Sequence, residues 1–302
     1  MRVIVTGGAG FIGSHLADSL VSAGHEVIIL DDLSAGKKDY INKKASFFQK
    51  DIRTDLSREF SGADTVFHFA ADPDVRASAT KPTASFDINV FGTLNVLEAC
   101  RKADVKHVVF PSTSTVYGET NVIPTPETHS CAPISNYGAS KLACEGYLSS
   151  YSATYGIKAT ALRFANIVGE RSTHGVMFDF YNKLKRNPKE MEILGDGKQD
   201  KSYLHVSDCV DGVLAAWKKQ AKVYDVFNVG SQEKHTVNEI AQAMFKALEV
   251  KPKIIYTGTP RGWVGDMKVM LLDTKKLEKL GWKPRIGFED GVKRYVRWLQ
   301  GV

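Results

Sequence analysis

The run Thr6-Gly7-Gly8-Ala9-Gly10-Phe11-Ile12-Gly13 restricts the fold of this chain more than any other segment. It follows Arg2-Val3-Ile4-Val5, a short β-branched run that reads as a buried strand. After it, Leu16, Leu20 and Val21 keep helical spacing over residues 15–23, and Gly24 stands as a C-terminal stop. Strand, glycine turn and helix together give the motif its meaning. Glycines allow backbone conformations closed to other residues and let a pyrophosphate approach the main chain. The helix N-terminus then offers unpaired N–H groups and a partial positive charge. Gly7, Gly10 and Gly13 are spaced by three, and Asp31 closes the next apolar run, Val27-Ile28-Ile29-Leu30, where a ribose-binding acid is expected. No Lys follows Gly13, which excludes a nucleoside triphosphate P-loop. The alternative is a turn that serves only the fold of an α/β protein.

Strand and helix patterns alternate through the first half. Strands are expected at residues 46–50, 65–69, 106–110 and 159–164, with helices at 84–102 and 137–155. This predicts an α/β fold: a Rossmann-type, doubly wound parallel sheet covered on both faces, with ligands at the C-terminal strand ends. After Gly169 the units shorten, which predicts a smaller α/β substrate-binding lobe. The expected division is 1–168 for the cofactor domain and 169–302 for the second lobe, with 203–218 packing back against the first.

Two helices are apolar on more than one face. Phe86, Ile88, Val90, Phe91, Leu94, Val96 and Leu97 spread around one, and Leu142, Ala143, Tyr147, Leu148 and Tyr151 around the other. A helix lying on a sheet needs one stripe, so a second partner is implied: a homodimer of paired helices, or burial under the second lobe. The formal net charge of +6 comes from scattered basic residues, which argues against nucleic acid. Cys100, Cys131, Cys144 and Cys209 show neither a CxxC pair nor metal-ligand spacing, so no metal is expected and the thiols suit a reducing compartment. No apolar run approaches the ~20 residues of a membrane span, and the first strand begins at residue 2. A cytoplasmic protein is the expectation.

Tyr137-Gly138-Ala139-Ser140-Lys141 places a phenol and an ammonium four residues apart, on one face of a helix. A lysine roughly 4 Å from the phenol, at an effective dielectric near 20, favours the phenolate by about 4 kcal/mol, or about three pKa units. That predicts a tyrosine able to exchange protons near neutral pH. Ser112-Thr113-Ser114-Thr115 follows the strand expected to end at Phe110, where hydroxyls could bind a substrate oxygen and relay its proton to Tyr137. Ser and Thr also favour such turns for local reasons.

Together, Thr6 to His15, Asp31, Asp51-Ile52, Phe69-Ala70-Ala71, Asn89, Ser112 to Gly118, Tyr137 to Lys141, Asn166, Leu204 to Asp208 and Gly265-Asp266 resemble the extended short-chain dehydrogenase/reductases. Within them the chain is most similar to the UDP-glucose 4-epimerases. The resemblance implies an NAD-dependent C4 epimerisation of a UDP-hexose through a 4-keto sugar. It implies Tyr137 as base, Thr113 as its hydroxyl partner and Lys141 beside the nicotinamide half. It places Gly7, Gly10, Phe11, Ile12 and Gly13 at the pyrophosphate and Asp31 at the adenosine ribose. Asp32, Ser34 and Gly36 would lie near that ribose, Asp51 and Ile52 beside the adenine, and Phe69, Ala70, Ala71 and Asn89 along the cofactor bed. Asn166, Gly175, Val176 and Ile193 would meet the substrate diphosphate and uracil. Lys201 stands where many relatives carry Arg, and Arg261, ahead of Asp266, is the expected diphosphate clamp. Met270 falls near a position that bears on N-acetylated sugars. The resemblance also leaves a nucleotide-sugar reductase or decarboxylase open. A 4,6-dehydratase would need an acid pair where this chain has Ser114-Thr115. A dinucleotide-sensing protein without turnover would have no use for a paired Tyr137 and Lys141.

Overall fold

The computed structural model describes residues 1–258, 267 and 269–302. Its strands, in chain order, are β1 (Arg2–Thr6), β2 (Glu26–Asp31), β3 (Ser46–Gln49), β4 (Thr65–His68), β5 (His107–Thr113), β6 (Lys158–Phe164), β7 (Asn166–Val168), β8 (Glu190–Ile193), β9 (Asp200–His205), β10 (Tyr224–Val229), β11 (Lys234–Thr236), β12 (Lys253–Tyr256) and β13 (Val269–Met270). The principal helices are α1 (Phe11–Ser22), α2 (Gly92–Lys102), α3 (Asn136–Tyr155), α4 (Val176–Arg186), α5 (Val206–Lys219), α6 (Val237–Leu248) and α7 (Phe288–Gln300).

Seven strands form one parallel sheet in the order β10-β6-β5-β4-β1-β2-β3. The inner strands β1, β2 and β4 are buried along nearly all their length, which is why they read as continuous apolar runs rather than alternating ones, while the edge strand β3 stays largely exposed. One face packs Val3, Val5 and Ile29 against α1 and α5. The other packs Ile4, Ile28 and Val66 against α2 and α3. The strand order reverses direction between β1 and β4, opening a crevice at their C-terminal ends. The sheet is the Rossmann-type architecture that the β-α alternation predicts.

The second lobe is built from β7, β9, β11 and β13, the pair β8–β12, and helices α4, α6 and α7, around Met191, Ile193, Ile240 and Tyr295. The boundary expected at residue 168 does not divide the sheets. β10 returns from beyond it to pair with β6, while β7 lies before it and pairs with β9. α5 packs against α1.

Two local readings need correction. β5 does not stop at Phe110 but continues through Pro111 and Ser112 to Thr113, so Thr113 is held by strand pairing with Phe164. The helix expected over 84–102 is not uniform: a π-helical segment, Phe86–Phe91, precedes α2. The wider turn adds a residue per turn and shifts the side chains that follow. It leaves Phe86 58% and Phe91 49% exposed and turns Asn89 into the interior. Cys100, Cys144 and Cys209 are buried and all four thiols are free. Among the described residues no group of His, Cys, Asp and Glu could hold a metal ion, and no helix is long and apolar enough to cross a membrane.

Candidate active site

At the crevice the glycine turn is pressed against the segment after β4. Gly7 has φ +69°, and a Cβ there would lie 2.6 Å from the Ala70 nitrogen. A Cβ on Gly13 would lie 2.2 Å from the Gly7 carbonyl. The first backbone bond of the helix runs from Ser14 N–H to the Gly10 carbonyl. The N–H groups of Phe11, Ile12 and Gly13 therefore point out of the N-terminus without helical acceptors. Such a cradle fits a pyrophosphate.

Asp31 closes β2 and is 7% exposed. One carboxylate oxygen accepts from Ala9 N–H at 3.0 Å and the other from Leu33 N–H at 2.8 Å. Burial pushes its pKa up, against those two backbone bonds. A carboxylate has about four acceptor sites, so two stay open for ribose hydroxyls. The loop it anchors folds back through Asp32, which accepts from Ser34 N–H at 2.9 Å, to Gly36, where a Cβ would come within 2.7 Å of Asp31. Asp51 is tied to Arg53 at 2.9 Å, which holds its carboxyl below the usual range. Ile52 is buried against Gly92.

Phe69 and Ala70 hang from Thr6 through Phe69 N–H to its carbonyl at 3.0 Å and Ala70 N–H to its hydroxyl at 3.2 Å. Asn89 fixes the chain beyond Ala71, accepting from Asp72 N–H at 2.8 Å and donating to the Asp72 carbonyl at 3.1 Å and to Ser140 at 3.0 Å. Behind them His68 bridges Thr6 at 2.7 Å and Thr93 at 3.0 Å. Burial lowers its pKa to about 3, so it is neutral.

Thr113 and Tyr137 face each other across the gap between β5 and α3, close enough for the Thr113 hydroxyl to favour the phenolate. The phenol is not lowered toward neutral pH as the spacing predicts: burial pushes Tyr137 up to about 12, with the Thr113 hydroxyl pulling the other way. The four-residue spacing puts the two stems on one face, but Lys141 Nζ turns onto the Phe110 ring, 4.0 Å from its centroid. Burial lowers Lys141 itself to about 8.

The sequence reading missed what braces this pair. Glu145 lies two turns beyond Tyr137 on the same helical face. It accepts from Ser112 at 2.5 Å and pairs with Arg163 of β6 at 2.6 Å, both side chains buried. Arg163 in turn stacks on Tyr117, whose hydroxyl donates to Asn228 of β10 at 2.7 Å. Only the spacing of Glu145 from Lys141 could have pointed to it. His68, and the bond that Thr115 donates to Thr113 at 3.1 Å, were likewise not singled out.

Toward the second lobe, Asn166 donates to the Ser202 carbonyl at 3.1 Å, and Lys201 stands on β9 opposite His235 and Met270. Gly175 caps α4 with φ +88° and open space around its Cβ position, and Val176 begins that helix half-buried. Ile193 departs from expectation. Its side chain is fully buried in the lobe core, because β8 turns it inward, and its carbonyl accepts from Thr257 N–H at 3.1 Å. Met270 is buried with Val116, Tyr117 and Ala165. Arg261 and Asp266 lie outside the described residues.

Residues 3–230 match the model of the NAD dependent epimerase/dehydratase family. A putative UDP-glucose 4-epimerase of Methanocaldococcus jannaschii is 40% identical, over 99% of this chain and 98% of that one. A crystal structure of a UDP-galactose 4-epimerase superposes with a TM-score of 0.92 at 44% identity, covering 100% and 99% of the two chains. The UDP-glucose 4-epimerase of Thermotoga maritima, solved with UDP-glucose, gives 0.94 at 36%, again over 100% and 99%. With its glycine cradle, its Asp31 and a match over most of its length, the chain belongs to the NAD dependent epimerase/dehydratase family.

Proposed function

We propose that the protein interconverts UDP-glucose and UDP-galactose, inverting C4 through a 4-keto sugar with NAD held throughout. The observation that carries this reading is the Thr113–Tyr137 hydroxyl pair, set at the end of β5 in the sheet whose β1 turn forms the cradle. The likeness to an enzyme solved with UDP-glucose supports the choice of sugar and nucleotide.

The cradle of Gly7, Gly10, Phe11, Ile12 and Gly13 would hold the pyrophosphate of NAD, and Asp31 its adenosine ribose, disfavouring a 2′-phosphate by charge. The chemistry that bound NAD supplies is reversible acceptance of the hydride from C4. Tyr137 would take the proton of the C4 hydroxyl and later return it to the C4 oxygen of the keto sugar as hydride is delivered to the opposite face, giving the epimeric alcohol. Thr113 steadies the tyrosine oxygen. Ser114 and Thr115 carry hydroxyls, not the carboxyls that elimination of water between C5 and C6 requires. Lys201, Asn166, Gly175, Val176, Arg261 and Asp266 are assigned to the UDP moiety, with Ile193 behind them in the lobe core. Purified, NAD-loaded protein is expected to form UDP-galactose from UDP-glucose. Absence of that product, with product from another UDP-hexose, would move the substrate; absence from all would end the reading.

The exposed Phe86, Phe91, Tyr147 and Tyr155 support a homodimer through the π-helical segment and α3. A monomer mass in light scattering would overturn it. The free thiols support residence in the reducing cytoplasm, and recovery with membranes on fractionation would count against that.

A further inference from the structure

Three hydroxyls stand in line where β5 ends. Thr113 Oγ1 faces the Tyr137 hydroxyl, lies 3.1 Å from Thr115 Oγ1, and also accepts from Thr115 N–H at 3.2 Å. Thr115 is wedged against the first turn of α3. A Cβ on Gly138 would meet the Thr115 carbonyl at 2.9 Å and its hydroxyl at 3.1 Å. Its side chain is therefore held in place, and only its O–H can rotate.

A threonine hydroxyl has one hydrogen to give and two acceptor sites. The Thr115 N–H fills one acceptor site on Thr113, which leaves one donor and one acceptor for two neighbouring hydroxyls. While Tyr137 is a phenolate it can only accept. Thr113 must then give its hydrogen to Tyr137 and accept from Thr115. Once Tyr137 carries a proton and donates it to Thr113, Thr113 has to give its own hydrogen to Thr115. The line reverses each time Tyr137 changes state.

We propose that Thr115 is a positioning residue for Tyr137: as the outer end of a reversible hydroxyl line, it lets Thr113 stay fully hydrogen-bonded in both protonation states of the tyrosine. The inference rests on Tyr137 being the base of the proposed reaction. The proton gained by Tyr137 comes from the sugar hydroxyl, and on the two threonines no O–H bond breaks; each hydroxyl only turns. A hydrogen bond to a charged oxygen is about twice as strong as one between neutral groups, and a chain of them is mutually polarising. Losing the Thr115 hydroxyl therefore costs the phenolate more than the phenol.

The test is a pH titration of phenolate absorbance in NAD-loaded protein, taken as the difference from Tyr137→Phe. Thr115→Val keeps the shape and the backbone N–H but removes the hydroxyl. It is expected to raise the ionisation midpoint of Tyr137 by about half to one pH unit, which is about three- to tenfold less phenolate below the midpoint. The acid limb of kcat should move with it while KM stays put, Thr115→Ser should restore both, and in a Thr113→Ala background Thr115→Val should add nothing. An unmoved midpoint, a serine that fails to rescue, or an equal shift without the Thr113 hydroxyl would each overturn the proposal. Thr115→Ala serves in place of valine if the latter does not bind NAD. The titration needs no turnover, so it reads the hydroxyl line even if the protein epimerises no sugar offered, which is how failure of the proposed function is told apart.

Discussion

At the glycine cradle the groups that would meet a ligand come from one stretch, residues 7–36, and act largely through the backbone. At the other end of the crevice Thr113 and Tyr137 are side chains braced by others from distant elements: Ser112 on β5, Glu145 on α3, Arg163 on β6 and Asn228 on β10. A pyrophosphate looks alike in every nucleotide and can be gripped by N–H groups that any local turn supplies. A reacting hydroxyl has to be placed to a fraction of an ångström, and that takes rigid bracing from several directions. Local construction and long-range construction should therefore fail differently when one residue is removed.

The sharpest separation is expected from Tyr137→Phe. It removes one oxygen at the long-range end and touches nothing in the cradle. Turnover should fall by about 10²–10⁴-fold, the range for loss of a general acid–base, while NAD binding is unchanged. Single-turnover kinetics beside an NAD titration checks both halves at once. An unchanged rate would remove Tyr137 from its assigned role.

Next comes the brace. Glu145 and Arg163 are 4% and 7% exposed at the side chain, and Glu145→Ala leaves the guanidinium buried without its carboxylate. Breaking such a pair costs about 3–5 kcal/mol, since the remaining charge keeps its desolvation penalty. Urea denaturation should show that loss, and replacing Arg163 as well by Met should recover part of it. If the single variant loses less than about 1 kcal/mol, the pair is not what holds β5 and α3 in register.

The same contrast governs what could be read from the chain. The cradle, Asp31 and the parallel sheet were legible because glycine spacing, an acid at a strand end and apolar runs are all local signals. The Tyr137–Lys141 spacing was legible too, but its electrostatic consequence was not. Helical geometry fixes where the stems begin, whereas the ammonium settled on Phe110, a residue of another element. β5 ran three residues past its expected end because pairing with β6, not propensity, sets where a strand stops. Ile193 was placed at the ligand by likeness, while the inward face of β8 assigns it to the core. Glu145, Arg163 and Asn228 carry no pattern along the chain at all. Their partnership exists only once three elements have been folded together.

His68 cuts across this division, and its effect is the smallest of the three. It belongs to the cradle end yet binds through long-range contacts, joining Thr6 under the glycine turn to Thr93 on α2. Its pKa is about 3 in the fold and 6.5 when unfolded, so between those values the unfolded chain holds the extra proton. Stability from this residue is then complete above pH 6.5 and lost as the pH falls toward 3, at about 1.4 kcal/mol per unit. Between pH 7 and pH 5 the loss comes to about 2 kcal/mol by that linkage. His68→Gln has no charge to gain, so its stability should fall by that much less over the same interval in urea denaturation. His107, whose pKa is depressed to about 4 by burial, is present in both proteins and cancels in the difference. Equal pH slopes would mean that the imidazole is already solvated in the fold. The cradle would then rest on its local turn alone, and the contrast between the two ends would be stronger than His68 now allows.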